Sequence, residues 1–189
     1  MTEHYEVVFS DEERENTKSF KFAASTYDFL ESLIMAVAFV AVVLVFFFRV
    51  ATVDGPSMVP TLDDKDRLII TSVGTNYEYG DIVVIHRENA VSLVKRVIAR
   101  SGDTVDIDFE RGIVRVNGKV LDEPYIAEPT YLNFADGANY PFVVPKGFLF
   151  CMGDNRNNSL DSRSGSIGLI NEQYIVGKMV VDLDNKEAK

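Results

Sequence analysis

The chain has 189 residues, of which 47% are hydrophobic, and it carries a formal net charge of −10 at pH 7. This length allows one ordinary domain with additional segments, and the acidic charge argues against nucleic acid, whose phosphates require clustered lysine and arginine. The single cysteine, Cys151, excludes an internal disulfide, and we expect it to be a small buried hydrophobe. Only two histidines occur, His4 and His86, and neither lies in a ligand-spaced cluster, so no metal site is expected.

Residues 1–28 are polar and acidic, and we predict a mobile tail there. Residues 29–48 are strongly apolar and approach the roughly 20 residues needed to cross a bilayer. A buried core helix of this length usually has a polar face, and a cleavable secretory signal usually follows a short basic region. We therefore predict a transmembrane helix over 29–48. The positive charges on its two sides are nearly equal in number, so they do not fix its orientation.

After residue 48 the pattern changes from helix to strand. Short β-branched runs separated by turn-forming glycines predict strands over 66–71, 81–86, 92–98, 104–107, 148–152 and 175–180. Residues 113–121 predict a hairpin around the two-residue turn Asn117-Gly118. No long amphipathic helix is predicted after Arg49, so we expect residues 49–189 to form one mostly β domain. Residues 125–145 are rich in proline, glycine, asparagine and tyrosine and predict a loop excursion that flanks the site.

Ser57 lies in the stretch VDGPSMVPTL, residues 53–62, shortly after the apolar segment. A single serine beside glycine and proline is most often a turn residue. Here Gly55 lets the backbone approach a substrate closely, while Pro56 and Pro60 stiffen the segment. A nucleophile needs such a fixed and exposed position, so Ser57 is a candidate.

Lys95 is the candidate base for that serine. In a strand over 92–98, Leu93, Lys95 and Val97 share one face and Arg96 points the other way. Apolar neighbours disfavour the ammonium, so the pKa of Lys95 falls from about 10.4 toward the range where the amine accepts a proton. The ordinary alternative is an edge lysine with its head in water. His86 is a second candidate base, but its place at a strand end suits a structural role better.

A third polar motif, GDNRNNSLDSR, occupies residues 153–163. By itself it predicts a turn with solvated charges, in which Asp154, Asn155 and Arg156 satisfy loop backbone groups. A neutral amine must also be oriented. A neighbouring hydroxyl orients it without stabilising positive charge, as a carboxylate would.

In this order, behind one apolar segment, the three motifs resemble type I signal peptidase, and the resemblance covers about residues 48–178. The lysine at the base position is similar to the bacterial branch of that family, which cleaves leader peptides from exported proteins. The resemblance implies a coiled, folded β-sheet domain that needs no metal or organic cofactor. It implies Ser57 as nucleophile and Lys95 as general base, and it assigns supporting roles to Ser159, which bonds the lysine, and to the charged pair Asp161 and Arg163.

The resemblance also implies a substrate and a location. Exported preproteins with small residues one and three positions before the cut would bind in shallow pockets lined by Val53, Met58, Val84 and Leu93, although each of these residues equally suits a core. The bilayer would hold the chain by a single pass, with a cytoplasmic tail and an extracytoplasmic catalytic domain. Some family members carry an oxyanion-binding serine where this chain has Gly55, and Pro56 has no N–H. The oxyanion would then depend on the Ser57 N–H and another backbone group.

Two alternatives remain open at this point. One is a specialised signal peptidase for a narrow cargo. The other is a catalytically inactive, membrane-tethered β-domain that binds exported polypeptides, although the intact Ser57, Lys95, Ser159 and Asp161 argue against it. A self-cleaving repressor-type protease is disfavoured by the apolar segment and by the absence of a DNA-binding segment.

Overall fold

A computed structural model of the chain describes residues 11–74, 76–88 and 90–184. The chain divides into two compact units, Met1–Phe46 and Phe47–Lys189. The first unit contains a helix and the second contains the β-strands.

Helix α1 spans Asp11–Phe47. Its later part, Ser25–Phe47, has a mean hydropathy of 2.7 and none of it is buried, so it is long and apolar enough to cross a membrane. Residues 11–28 were predicted as part of a mobile tail but continue the same helix, which is understandable because they contain no proline or glycine. The rest of the predicted tail, residues 1–10, lies outside the described residues.

Eleven strands follow in the described part of the chain. They are β1 Phe48–Thr52, β2 Arg67–Thr71, β3 Ile82–Ile85, β4 Leu93–Ala99, β5 Thr104–Asp108, β6 Ile113–Val116, β7 Lys119–Val120, β8 Phe142–Val143, β9 Phe148–Met152, β10 Ile170–Asn171 and β11 Ile175–Asp182. A 3₁₀ turn, Glu172–Tyr174, separates the last two. Seven strands form one antiparallel sheet in the order β1-β2-β11-β3-β4-β9-β10, and four form a second in the order β7-β6-β5-β8.

The predicted mostly β fold class is confirmed, and each predicted strand is present. The predicted hairpin is β6 and β7, and its turn residues Asn117 and Gly118 have φ angles of 53° and 76°. Positive φ at both turn residues matches the twist of the flanking strands, which is why an Asn-Gly pair is favoured there. Strands β1, β8 and β10 were not predicted.

Three buried clusters hold the second unit together. One lies between the segment after β1 and strands β2 to β4, and another lies against the smaller sheet, where the rings of Tyr140, Phe142 and Phe150 pack edge to face. The third lies on the opposite face of β3, β4 and β9.

The pairing of β4 with β9 determines where the functional motifs meet. Arg96 pairs with Met152, so the chain leaves β9 at Gly153 beside Lys95. Strand β3 covers the other edge of β4, with Val83 opposite Lys95. The third motif therefore begins next to the candidate base.

Candidate active site

Ser57 lies on a tight turn in the segment between β1 and β2. The base of this segment is closed by hydrogen bonds from the Val53 N–H to the Asp66 carbonyl oxygen and from the Lys65 N–H to the Val53 carbonyl oxygen, each 2.9 Å. Gly55 adopts a φ of +86°, which favours glycine, and its N–H donates to Asp64 at 2.7 Å. These contacts fix the backbone while the Ser57 side chain stays partly accessible.

The Lys95 side chain reaches Ser57 from β4. Its Nζ lies 2.6 Å from Ser57 Oγ and donates to the Val94 carbonyl oxygen at 2.9 Å. The residue is only 2% exposed. Among the described residues no carboxylate oxygen lies within 4.0 Å of this amine. The amine is therefore buried with neutral oxygen partners.

This setting changes the proton affinity of the lysine. Burial lowers the pKa of Lys95 from 10.5 to about 8. The negative charges of Asp161 and Asp154 oppose that effect and raise the pKa, but burial dominates. A substantial fraction of Lys95 is thus neutral near pH 8, as a general base requires.

The segment after β9 holds the Ser57 turn from the other side. The Asn155 N–H donates to the Ser57 carbonyl oxygen at 3.1 Å, and the Asn155 side-chain amide donates to the Pro56 carbonyl oxygen at 3.0 Å. A methyl group added at Gly153 would overlap both the Ser57 carbonyl oxygen and Ser159 Oγ. Gly153 is therefore a point of close backbone approach between the nucleophile turn and the third motif.

Ser159, Asp161 and Arg163 form a buried cluster next to this glycine. Asp161 Oδ2 accepts hydrogen bonds from Ser159 Oγ at 2.8 Å and from the Gly153 N–H at 2.9 Å. Arg163 donates to both carboxylate oxygens, at 2.8 and 2.9 Å. The predicted hydrogen bond between Ser159 and Lys95 is not present among the described residues. The Ser159 hydroxyl bonds Asp161 instead, and the Lys95 amine bonds Ser57 and Val94.

A second buried pair was missed by sequence reasoning. Arg96 donates to both oxygens of Asp154, at 2.8 and 2.6 Å, and Asp154 also accepts a short hydrogen bond from the Thr61 hydroxyl. Thr61 belongs to the Ser57 segment, and Arg96 follows Lys95 on β4. Asp154 therefore ties the nucleophile segment to the strand of the base, a larger role than the loop capping predicted for it.

Three of the four predicted pocket residues lie together. Val53, Met58 and Val84 are at most 5% exposed and share one cluster with Val94. Leu93 packs against the cluster on the opposite face instead.

The Leu93 side of the sheet carries a separate cleft of about 470 Å³. His86, the alternative base, also lines this cleft. The cleft residues contact neither Ser57 nor Lys95 by any hydrogen bond in the described structure. The geometry therefore brings lysine, and not histidine, to the serine.

Three further features bear on the chemistry. Among the described residues no acceptor pairs with the Ser57 N–H. No group of three or more His, Cys, Asp or Glu side chains in the described ranges is arranged to hold a metal ion. Cys151 is free and fully buried, as predicted, and burial raises its pKa.

Burial of the Lys95 amine should lower the free energy of unfolding at a pH where the amine is protonated in the unfolded chain. Because its folded-state pKa of about 8 lies below the unfolded value of 10.5, the cost is fully present below pH 8 and disappears as the pH rises toward 10.5. We expect Lys95→Met to raise the free energy of unfolding by about 3 kcal/mol at pH 7 and by about 2 kcal/mol at pH 9. Unfolding of the full chain in detergent at both pH values measures this difference.

The control is Lys178→Met, since the Lys178 amine is partly exposed and pairs with Asp81 at 3.1 Å. No stabilisation is expected there. A gain for Lys95→Met that stays constant or grows between pH 7 and pH 9 would contradict the lowered pKa.

Comparison with known proteins identifies the family to which the chain belongs. The family model described as signal peptidase, peptidase S26, matches residues 26–183. A signal peptidase I of Bacillus amyloliquefaciens is 41% identical over 171 residues, which cover 85% of this chain and 86% of that protein. Signal peptidase I T of Bacillus subtilis strain 168 is 38% identical over 180 residues, covering 89% of this chain and 91% of that protein.

A crystal structure of a signal peptidase I from Enterococcus faecalis V583 also matches. Its TM-score is 0.44 at 24% sequence identity, and the match covers 56% of this chain and 97% of that chain. The resemblance drawn from the three motifs is confirmed by the family model and the Bacillus relatives. The chain belongs to the signal peptidase family, peptidase S26.

Proposed function

We propose that the chain is a membrane-anchored serine endopeptidase that removes signal peptides from exported preproteins, with Ser57 as nucleophile and Lys95 as general base. The observation that carries this proposal is the 2.6 Å contact between Lys95 Nζ and Ser57 Oγ, made by an amine buried without a carboxylate partner. Family membership supplies the class of reaction.

The geometry supports the following chemistry. Neutral Lys95 takes the hydroxyl proton as Ser57 Oγ attacks the carbonyl carbon of the scissile bond. The resulting ammonium returns that proton to the leaving nitrogen, the carbon–nitrogen bond breaks, and the leader peptide remains as an ester on Ser57. Lys95 then takes a proton from water, which attacks the ester and releases the leader carboxylate while Ser57 Oγ regains its proton.

Oxyanion stabilisation depends on backbone groups near Ser57. The free Ser57 N–H supports a role as one donor, since preorganised donors at the developing negative charge lower the barrier. Gly55 supplies no side-chain donor and Pro56 has no N–H. The second donor is then another backbone group, either already in place or brought into place when substrate binds.

Ser159, Asp161 and Arg163 act as supporting residues in this proposal. The Asp161 carboxylate accepts hydrogen bonds from Arg163 and Ser159. The Arg163 charge lowers the pKa of Lys95 and so partly compensates the opposite effect of Asp161. An unpaired carboxylate near Lys95 would favour the ammonium and remove the base.

An extended preprotein segment fits the free strand edges. β4 pairs with β9 only from Arg96 onward, so in the described structure Leu93, Val94 and Lys95 have one unpaired backbone edge. Strand β1 likewise pairs with β2 alone. A peptide strand that pairs with such an edge gains main-chain hydrogen bonds and presents alternate side chains to one face.

On the face of the sheet that carries the predicted pocket residues, small substrate side chains are favoured. The cluster with Val53, Met58 and Val84 is closely packed, so only small side chains one and three positions before the cut would fit against it. Leu93 lies on the other face and would contact an intervening side chain.

Helix α1 and the family indicate a membrane-anchored protein. We further propose a single pass with the N-terminus cytoplasmic and the catalytic domain extracytoplasmic, because leader peptides are removed where exported chains emerge from the bilayer. The partners are then exported preproteins and lipid. A narrow cargo remains the alternative substrate range, and the short Lys95–Ser57 contact argues against an inactive binding domain.

The direct test mixes the purified full chain in detergent with preproteins bearing an Ala-x-Ala site and maps the cut by mass spectrometry. We expect cleavage after the second alanine, and at least a 10³-fold slower rate for Ser57→Ala, as is usual when a nucleophile is removed. Intact preproteins after incubation with several such substrates would instead support the binding domain.

The lysine mechanism predicts a specific pH dependence. Only neutral Lys95 accepts the Ser57 proton, so the cleavage rate should rise with pH and level off above the pKa of about 8. Lys95→Arg should be as inactive as Lys95→Ala, because a guanidinium stays protonated. Measurable turnover by Lys95→Arg, or a rate that falls between pH 6 and pH 8, would exclude the neutral lysine.

The close approach at Gly153 predicts a catalytic defect. Gly153→Ala should displace the Ser57 turn and lower kcat by about 10- to 100-fold, since small misplacements of reacting groups are costly. The matched control is Gly177→Ala on β11, where the added methyl would meet the Thr71 carbonyl oxygen at 2.8 Å. We expect that control to lower the Tm but to keep kcat near the wild-type value. Equal effects of both variants on kcat would refute the specific role of Gly153.

A further inference from the structure

Tyr125 lies in the segment between β7 and β8, and its half-buried ring contacts two arginine side chains. The Cζ atom of Arg96 lies 4.0 Å from the ring centroid, and that of Arg156 lies 5.9 Å away. A guanidinium over an aromatic face is attracted to the ring, and more strongly where water is excluded. The Tyr125 ring therefore lies against Arg96 of β4 and close to Arg156 of the third motif.

The Tyr125 hydroxyl is fixed by its own partners. It donates to Glu123 Oε1 at 3.0 Å and lies 3.0 Å from the Tyr79 hydroxyl. Glu123 in turn accepts two hydrogen bonds from Arg156, at 2.9 and 2.5 Å. Burial, and then the Glu123 carboxylate, raise the pKa of Tyr125, so the hydroxyl keeps its proton. The ring is thus held in one orientation against Arg96.

Each arginine holds a residue next to the nucleophile turn. Arg96 donates to both oxygens of Asp154, and Arg156 Nε donates to the Gly153 carbonyl oxygen at 3.1 Å. Gly153 and Asp154 immediately precede Asn155, whose N–H holds the Ser57 carbonyl oxygen. A shift of the arginines would therefore be transmitted to the Ser57 backbone.

The same contacts affect the charge that Lys95 experiences. The groups that influence its proton affinity are the carboxylates Asp161 and Asp154, the Cys151 thiol and the Arg163 guanidinium. Asp154 favours the ammonium, and the bidentate contact with Arg96 compensates that negative charge. Loss of the Tyr125 ring would loosen Arg96 and admit water, so Asp154 would act on Lys95 with less compensation.

We propose that Tyr125 is a positioning residue for the Ser57–Lys95 pair, because its ring holds the Arg96 guanidinium against Asp154. Glu123 accepts hydrogen bonds from both Tyr125 and Arg156 and so holds these two side chains in place. This inference rests on the proposed peptidase function. It gives a role to the polar excursion that follows β7, which no catalytic motif explains.

The test compares pH–rate profiles for preprotein cleavage by the full chain in detergent. Tyr125→Leu removes the ring, whereas Tyr125→Phe keeps the ring and loses only the hydroxyl. The rising limb is the part of the profile where the cleavage rate increases with pH. For Tyr125→Leu we expect this limb to move to higher pH by roughly half a unit. At a pH below the pKa of Lys95, cleavage should then be about threefold slower. Tyr125→Phe should keep a pH–rate profile close to that of the wild type.

The matched control is Tyr131→Leu, the same change at a tyrosine of the same excursion that is 51% exposed. Its pH limb should coincide with that of the wild type. If Tyr125→Leu does not accumulate as folded protein, Tyr125→Met repeats the comparison with a more adaptable side chain. An unchanged limb in folded Tyr125→Leu or Tyr125→Met overturns the inference, even if the rate falls uniformly. Failure of the wild type to cleave any preprotein would instead overturn the proposed function.

Discussion

The site depends on keeping one lysine amine dry and away from any carboxylate. Each unit by which its pKa is lowered corresponds to about 1.4 kcal/mol against the ammonium, and a nearby unpaired carboxylate would reverse that effect. The surrounding acids are instead occupied by arginines. The two carboxylates that act on Lys95 are Asp161, which pairs with Arg163, and Asp154, which pairs with Arg96. A third buried pair joins Glu123 to Arg156. Arginine charges therefore compensate the carboxylate charges near Lys95, and the amine itself has no carboxylate partner in the described part of the chain.

Such buried pairs are a poor means of stabilising a fold. Desolvation of two charges often cancels their attraction, and apolar replacements of the same volume are frequently as stable. The three apolar clusters are sufficient to explain why the strands pack. The ion pairs are better explained by the geometry they impose: two of them fix the segment 153–163 against the turn of Ser57 and against β4.

Much of this arrangement follows from local sequence, and the remainder does not. The longer strands and the Asn117-Gly118 turn were predictable because alternation and turn chemistry act over a few residues. Strands β8 and β10 have two residues each, too short for any periodic signal, and exist only because neighbouring strands pair with them. Strand β1 was concealed because its first residue continues the apolar run of the helix.

The same distinction applies to the site. Ser57 and Lys95 were recognisable because each lies in a distinctive motif, and the structure brings them into contact. Tyr125 and Glu123 were not, since their partners Arg96 and Arg156 are distant in the chain and only tertiary packing joins them. The pocket residues stay a prediction: Val53 and Met58 lie in one buried cluster, whereas Leu93 packs against the cluster on the opposite face of the sheet.

The order of the functional residues along the chain has a consequence for biosynthesis. Ser57 is synthesised first, Lys95 follows with β4, and the segment that holds the Ser57 carbonyl oxygen arrives only after β9. Lys95 remains without its dry enclosure until that last segment has docked, so a growing chain carries an ordinary protonated lysine beside an unrestrained serine. The chain order therefore delays the neutral base until the segment after β9 has been synthesised and has docked on the Ser57 turn.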